Sequence, residues 1–228
     1  MVNFAWEFDL RPSMRLTKTR EKIIRRRPPR FELIAGAVCL DFINTLDDRY
    51  CTKPKELLES YIDLARFGED SGILAPSLAD YLMERGYGSG SAAKVLASAI
   101  ETREAMFAVF SAIVNKKPVP PMALFRVNAC AQAAAQHARL VEVKGGFEWR
   151  FDAVPPGFDA PLWPIARSAA DLLASDELTY LRQCVSPTCR WFFLDTSKNH
   201  RRRWCDMTKC GNRAKFRRFY SRKKKTGP

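Results

Sequence analysis

Apolar residues recur every three or four positions over several stretches of the chain, the spacing that lays a stripe along one face of an α-helix. The longest such stretch runs from Ser91 to Lys117. Ala92, Leu96, Ala99, Met106, Phe110 and Ile113/Val114 form its stripe, and only Arg103 interrupts it. Pro118, Pro120 and Pro121 end the helix, because proline has no amide hydrogen to give a helix interior. Between Pro54 and Phe67, Leu57, Leu58, Tyr61, Ile62, Leu64 and Ala65 repeat in the same way; Pro54 suits the first turn and Gly68 the stop. A short helix is predicted from Pro76 to Arg85, with Leu78, Tyr81 and Leu82 on one face. An Ala- and Gln-rich helix is predicted from Met122 to Arg139, and a last one from about Pro161 to Ser175.

The pattern changes elsewhere. The apolar run Leu33 to Leu40 leads into Asp41-Phe42-Ile43-Asn44-Thr45-Leu46-Asp47. This reads as a buried strand or turn running into a helix, with Asp41, Asn44 and Thr45 as candidate caps. Leu140 to Val143 and Phe147 to Phe151 alternate around Gly145-Gly146, a hairpin signal, and Pro155-Pro156-Gly157 reads as a loop. Leu33 to Leu40 is the longest apolar run and is far too short to span a membrane. The fold class expected is α+β: a mostly helical body with a small β-hairpin, followed by a small C-terminal module.

Charge divides the chain more sharply than hydropathy does. The whole carries 38 Lys and Arg against 25 Asp and Glu, a formal +13. Residues 1–30 hold nine basic residues and three acids, residues 31–180 fourteen and twenty, and residues 181–228 fifteen and two. The segments are therefore +6, −6 and +13. Three parts follow: a basic, proline-bearing arm over 1–30, a mildly acidic body over 31–176, and a basic module over 177–228. The arm lacks an apolar core after its charges, so it is not read as a secretory signal. A polyanion, most simply nucleic acid, is the partner that the module's charge predicts.

Four of the seven cysteines lie in that module, as Cys184-x4-Cys189-x15-Cys205-x4-Cys210. Two close pairs separated by about a hairpin's length of chain suit a tetrahedral four-thiolate zinc site. With all four positions filled by sulfur, the ion is structural rather than catalytic. His200, close to the predicted hairpin turn, is a fifth candidate that the site does not need. Cys39, Cys51 and Cys130 are scattered and read as free thiols in a reducing cytoplasm. A module of about fifty residues buries too little apolar surface to fold without such an ion.

Around the cysteines, Arg190 to Leu194 and Arg201 to Trp204 flank the turn-forming Asp195-Thr196-Ser197-Lys198-Asn199, which predicts a hairpin with Arg201 and Arg203 on one face. Gly211 is expected to let the backbone turn tightly beside the metal. A helix follows from Asn212 to about Lys225. At about 100° per residue, Phe216, Phe219 and Tyr220 cluster on a side expected to pack on the hairpin's aromatics. Ala214 and Ser221 lie opposite, between a rail of Arg213, Arg217 and Lys224 and a rail of Lys215, Arg218, Arg222 and Lys225. With Lys223, Arg201 and Arg203, these are the candidate nucleic-acid contacts.

The run Arg203-Trp204-Cys205-Asp206-Met207-x-x-Cys210-Gly211-Asn212-Arg213-Ala214-Lys215, with Cys184-x4-Cys189 and Phe193-Leu194-Asp195-Thr196-Ser197, resembles the CGNR zinc finger. Upstream, Leu40-Asp41-Phe42-x-Asn44-Thr45 looks like the opening motif of the ABATE domain that accompanies this finger in bacterial proteins. The resemblance covers about residues 31–222. It implies a bacterial transcription regulator, often described as stress-induced, with one zinc held by Cys184, Cys189, Cys205 and Cys210.

The function expected is DNA binding by the finger, with the body sensing a small-molecule effector or forming a homodimer. No glycine-rich phosphate loop and no nucleophile–histidine–acid set is legible, so catalysis is not expected. Two alternatives stay open. One is an RNA-binding or ribosome-associated zinc protein. The other is an enzyme that uses a polar site around Asp41, Asn44 and Arg103, with the finger as a tether. Arg103 is expected to pair internally with an acid such as Asp41. His137 is expected to be an ordinary surface residue.

Overall fold

The computed structural model describes residues 30–151 and 157–225. The expected basic arm therefore lies outside the described residues except for Arg30, as does the start of the expected Pro155-Pro156-Gly157 loop. The body begins with the short helix α1 (Val38–Ile43) and a two-residue pair, β1 (Leu46–Asp47) with β2 (Lys55–Glu56). Helices α2 (Tyr61–Asp70), α3 (Pro76–Gly86), α4 (Gly90–Val114) and α5 (Pro121–His137) follow. Next come the hairpin β3 (Ala138–Val143) and β4 (Gly146–Phe151) and helix α6 (Leu162–Leu173).

Helix α5 packs on α4 and α6, α2 on α3, and α1 on both α4 and α6. The core between them holds Leu40, Phe42, Ile43, Leu58, Leu64, Phe67, Leu82, Met106 and Phe110, all essentially excluded from solvent. Of the α4 stripe, Ala92, Ala99, Met106 and Phe110 are buried as the periodicity predicts, and Leu96, Ile113 and Val114 are half-buried.

The start of α2 departs from expectation. Residues from Pro54 do not open the helix, because Lys55 and Glu56 pair with β1 instead. The helix starts at a capping box: Ser60 N donates to Asp63 Oδ2 at 2.8 Å. Nor does Gly68 stop it. A Cβ there would stand 2.6 Å from Leu74 Cδ1, so glycine marks a close approach inside the helix. His137 also departs from expectation. It is half-buried, its ring stacked on Trp163 at 3.9 Å between centroids.

The C-terminal module follows a short 3₁₀ turn (Asp176–Tyr180) and contains β5 (Leu181–Gln183), β6 (Phe192–Leu194), a π turn (Met207–Gly211) and α7 (Asn212–Lys225). Its antiparallel pair is not the one that alternation suggested. β6 pairs with β5 across the first cysteine pair, Leu181 opposite Leu194 and Gln183 opposite Phe192. Residues 201–204 form no strand.

The run Trp191 to Leu194 explains why. Phe192 and Leu194 belong to the body's core, whereas Trp191 and Phe193 belong to a second core around the cysteines. A strand buried on both faces reads as continuous apolar sequence and needs ladder partners that are themselves buried. One strand is thus the wall between two cores.

Candidate metal centre and basic face

The four module cysteines converge. Cys184 ends the ladder, its N–H donating to Trp191 O at 2.8 Å, and Cys189 closes the turn that this hairpin makes. Cys205 arrives by a loop organised on the buried Asp195. The Asp195 carboxylate accepts from Ser197 N at 3.1 Å and from Arg202 N at 2.8 Å. Burial opposes ionisation of Asp195, but these donors outweigh it and hold the carboxyl below its ordinary value. Arg202 then lies over the Phe193 ring at 4.6 Å and donates to the carbonyls of Trp204 and Cys205. Cys210 sits in the π turn, whose first residues are capped by Asp206 through Thr208 N at 2.6 Å.

All four sulfurs lie within 4.8 Å of one another and all four residues are buried. Cys189 Sγ is 3.5 Å from Cys205 Sγ, and Cys205 Sγ is 3.7 Å from Cys210 Sγ. Metal–sulfur bonds of about 2.3 Å in a tetrahedron place sulfurs about 3.8 Å apart, so the cluster fits one structural zinc. Hydrogen bonds from Cys189 and Cys205 hold the Cys184 thiol low, and donating to Cys184 pushes Cys189 and Cys205 up. One thiolate in this pocket disfavours a second until a cation neutralises them.

His200 is not a ligand. It is exposed, stacks on Tyr180 at 4.4 Å, and its Nδ1 is 2.8 Å from Asp195 O. Gly211 has a different reason from the one expected: a Cβ there would meet Met207 Sδ at 2.4 Å. Cys39, Cys51 and Cys130 are free, and burial pushes the Cys39 thiol up to about 12.

The polar trio of the body is not brought into one open site. Asp41 accepts from Ala35 N at 2.9 Å. Asn44 caps the end of α1 and turns its carboxamide to Phe192, donating to its carbonyl at 2.9 Å and accepting from its N–H at 3.0 Å. Arg103 pairs internally, as expected, but with Glu56 rather than Asp41. Its Nη1 and Nη2 reach the two Glu56 oxygens at 2.6 and 2.7 Å, and its Nε reaches Glu104 at 3.0 Å. The β1–β2 pair, invisible to helical periodicity, is what carries Glu56 there. Burial opposes the Arg103 charge, but Glu56 outweighs it and raises the guanidinium's pKa.

The finger meets the body along a continuous seam. Leu194 N donates to Ala35 O at 2.8 Å, and Lys209 pairs with Glu32. Arg213 stands 4.0 Å from Asp48. A cavity of about 150 Å³ lies in this seam, lined by Asp47, Asp48, Trp191, Lys209 and Arg213 beside the cysteines. A second cavity, of about 600 Å³, lies in the body and is lined by Glu69, Ile73, Leu74, Trp149, Arg150 and Pro164.

Of the candidate nucleic-acid contacts, Arg201, Arg203, Arg213, Lys215 and Arg217 are exposed on the module. The alternation expected at residues 201–204 holds in exposure even without a strand, with Arg202 and Trp204 half-buried. The side chains of Arg218, Arg222, Lys223, Lys224 and Lys225 lie outside the described residues. The aromatics of α7 do not pack on the finger as expected: Phe216, Phe219 and Tyr220 are 64%, 56% and 60% exposed. Among the described residues, no helix is long and apolar enough to cross a membrane.

A family model described as "Putative stress-induced transcription regulator", ABATE, matches residues 36–176. A CGNR zinc finger model matches residues 180–223. No curated protein matches the chain. The first match covers more than half of the 228 residues, so the chain belongs to the ABATE family, with a CGNR finger following the ABATE region.

Proposed function

We propose that this chain is a DNA-binding transcription regulator whose zinc-held finger carries the contact and whose helical body positions the finger. The observation that carries this reading is the exposure of Arg201, Arg203, Arg213, Lys215 and Arg217 on a segment with fifteen basic residues and two acids. Clustered exposed cations favour a polyanion, because each phosphate contact releases condensed counterions. The family descriptions, a transcription regulator and a zinc finger, support a binding protein rather than a catalyst. Asp41, Asn44 and Arg103, each bonded within the protein, supply no open catalytic set. A reducing cytoplasm suits a protein that depends on four thiolates.

The body's role follows from its grip on Phe192. Asn44, at the end of α1, holds Phe192 of β6, the wall of the zinc module, so movement of α1 is the route we assign from body to finger. The 600 Å³ cavity is of a size that holds small ligands and is the seat we assign to an effector.

The test is a salt titration of duplex DNA binding by the zinc-loaded full chain. Arg201→Ala with Arg203→Ala, and Lys215→Ala with Arg217→Ala, are the variants. Removing one phosphate-binding cation flattens the slope of log K against log salt by about 0.9. If Arg213 or Arg217 reads a base edge, its replacement costs about 1–3 kcal/mol at one position of the site. Absence of duplex binding at low salt, or affinity indifferent to all these variants, sinks the reading.

A further inference from the structure

We propose that the exposed aromatic face of α7, formed by Phe216, Phe219 and Tyr220, is a stacking surface for unpaired bases, so that the finger binds single-stranded nucleic acid as well as duplex. The inference rests on the nucleic-acid reading above and goes beyond it.

The finger's own core is complete without these rings. Trp191 and Phe193 are buried around the cysteines, and Arg202 covers the Phe193 ring. Helix α7 makes its main contacts with the π turn that leads into it. Phe216, Phe219 and Tyr220 therefore stay 64%, 56% and 60% exposed, although they are three of the largest apolar groups in the module. Phe219 and Tyr220 meet edge to face, with centroids 5.6 Å apart. Large rings left in water within one turn of helix mark a binding surface rather than a folding element.

Charge selects the occupant. At about 100° per residue, the rings cover roughly 100° of the helix. Arg213 and Arg217 border this arc on one side and Lys215 on the other, all exposed. A second copy of the same helix would bring like charges together. A ligand that is anionic along a line and also carries flat π faces is a nucleic acid strand, bound by cations on its backbone and rings on its bases.

Spacing selects the unstacked form. Phe216 and Tyr220 are one turn apart, about 6 Å along the axis. Bases in a duplex are stacked about 3.4 Å apart and hide their faces from a helix lying in a groove. An extended strand offers each ring a base.

The experiment compares anisotropy of labelled 20-nucleotide strands, DNA and RNA of one sequence without self-pairing, and the matching DNA duplex. The protein is the zinc-loaded full chain and the triple variant Phe216→Ala, Phe219→Ala, Tyr220→Ala. Zinc content and circular dichroism confirm that the variant is folded. The variant is expected to lose about tenfold or more in affinity for the single strands. Its salt slope on them is expected to stay unchanged, because the phosphate contacts remain. Duplex binding is expected to change less than about twofold. Tyr220→Trp is expected to keep single-strand affinity and to show fluorescence quenched by the strand.

Equal loss on strand and duplex, or no loss on the strand, overturns the inference while leaving duplex recognition standing. So does a dimer in sedimentation that the triple variant abolishes without affecting strand binding. Binding of neither strand nor duplex by the parent chain overturns the nucleic-acid reading itself.

Discussion

The carboxamide of Asn44, at the end of α1, forms both hydrogen bonds that the backbone of Phe192 in β6 can offer, at 2.9 and 3.0 Å, across 148 residues of sequence. It takes the place of a neighbouring strand. Both partners are buried, so Asn44→Ala leaves an N–H and a C=O without water or protein partners. The expected cost is about 2–4 kcal/mol in urea unfolding. Asn44→Asp is expected to be no better, because a carboxylate repels the Phe192 carbonyl. A loss below about 1 kcal/mol for Asn44→Ala removes the bond from the account.

Metal analysis is expected to find one zinc per chain, lost in Cys205→Ser or Cys210→Ser. An intact finger without metal contradicts this. Because Leu181, Phe192 and Leu194 are part of the body's core, the body is not expected to be indifferent to the ion. A chelator is expected to lower the melting midpoint of the helical signal as well. An unchanged helical midpoint with the zinc removed means that the two cores are energetically separate.

Arg103 is 2% exposed at its side chain, while Glu56 and Glu104 are 32% and 41% exposed. This asymmetry orders two substitutions. Glu56→Gln leaves a buried guanidinium short of its bidentate partner and is expected to cost about 2–4 kcal/mol. Arg103→Met removes the buried charge and leaves carboxylates that reach water, so about 1–2 kcal/mol is expected. Denaturant titration of both variants checks the order, and the reverse order contradicts it.

Burial raises the Asp41 carboxyl to about 6 from an ordinary value near 3.8, against hydrogen bonds from the backbone of Ala35 and Ile34 that favour the ion. The folded state therefore binds the proton more tightly than the unfolded chain. Its contribution to stability is full below about pH 4 and is lost as pH rises through about 6. Asp41→Asn is expected to flatten stability over that window relative to the parent, by about 1–3 kcal/mol. Parallel curves for the two proteins refute the shift.

What the sequence alone determined is what depends on near neighbours. Ligand spacing of four residues within a pair, and the lack of any alternative donor set of that quality, specified the cysteine cluster. Helical periodicity specified α4, α5 and α6 nearly to their ends. The hairpin of β3 and β4 was legible because Gly145 supplies the left-handed turn, at φ 96°. Two further signals were present but not decisive. Asp195-Thr196-Ser197 is a side-chain-capped turn, and the unbroken Trp191 to Leu194 run suits a strand with two buried faces.

Only the tertiary structure decided the long-range choices. Glu56, not Asp41, neutralises Arg103 because β1 and β2 fold over α4. β5, not residues 201–204, pairs with β6, because Phe192 and Leu194 must face the body while Trp191 and Phe193 face the metal. The aromatics of α7 stay in solvent because β6 and Arg202 have already closed the finger's core. Periodicity reports which face of an element is apolar. It carries no information on what that face meets, which depends on how distant elements share one finite interior.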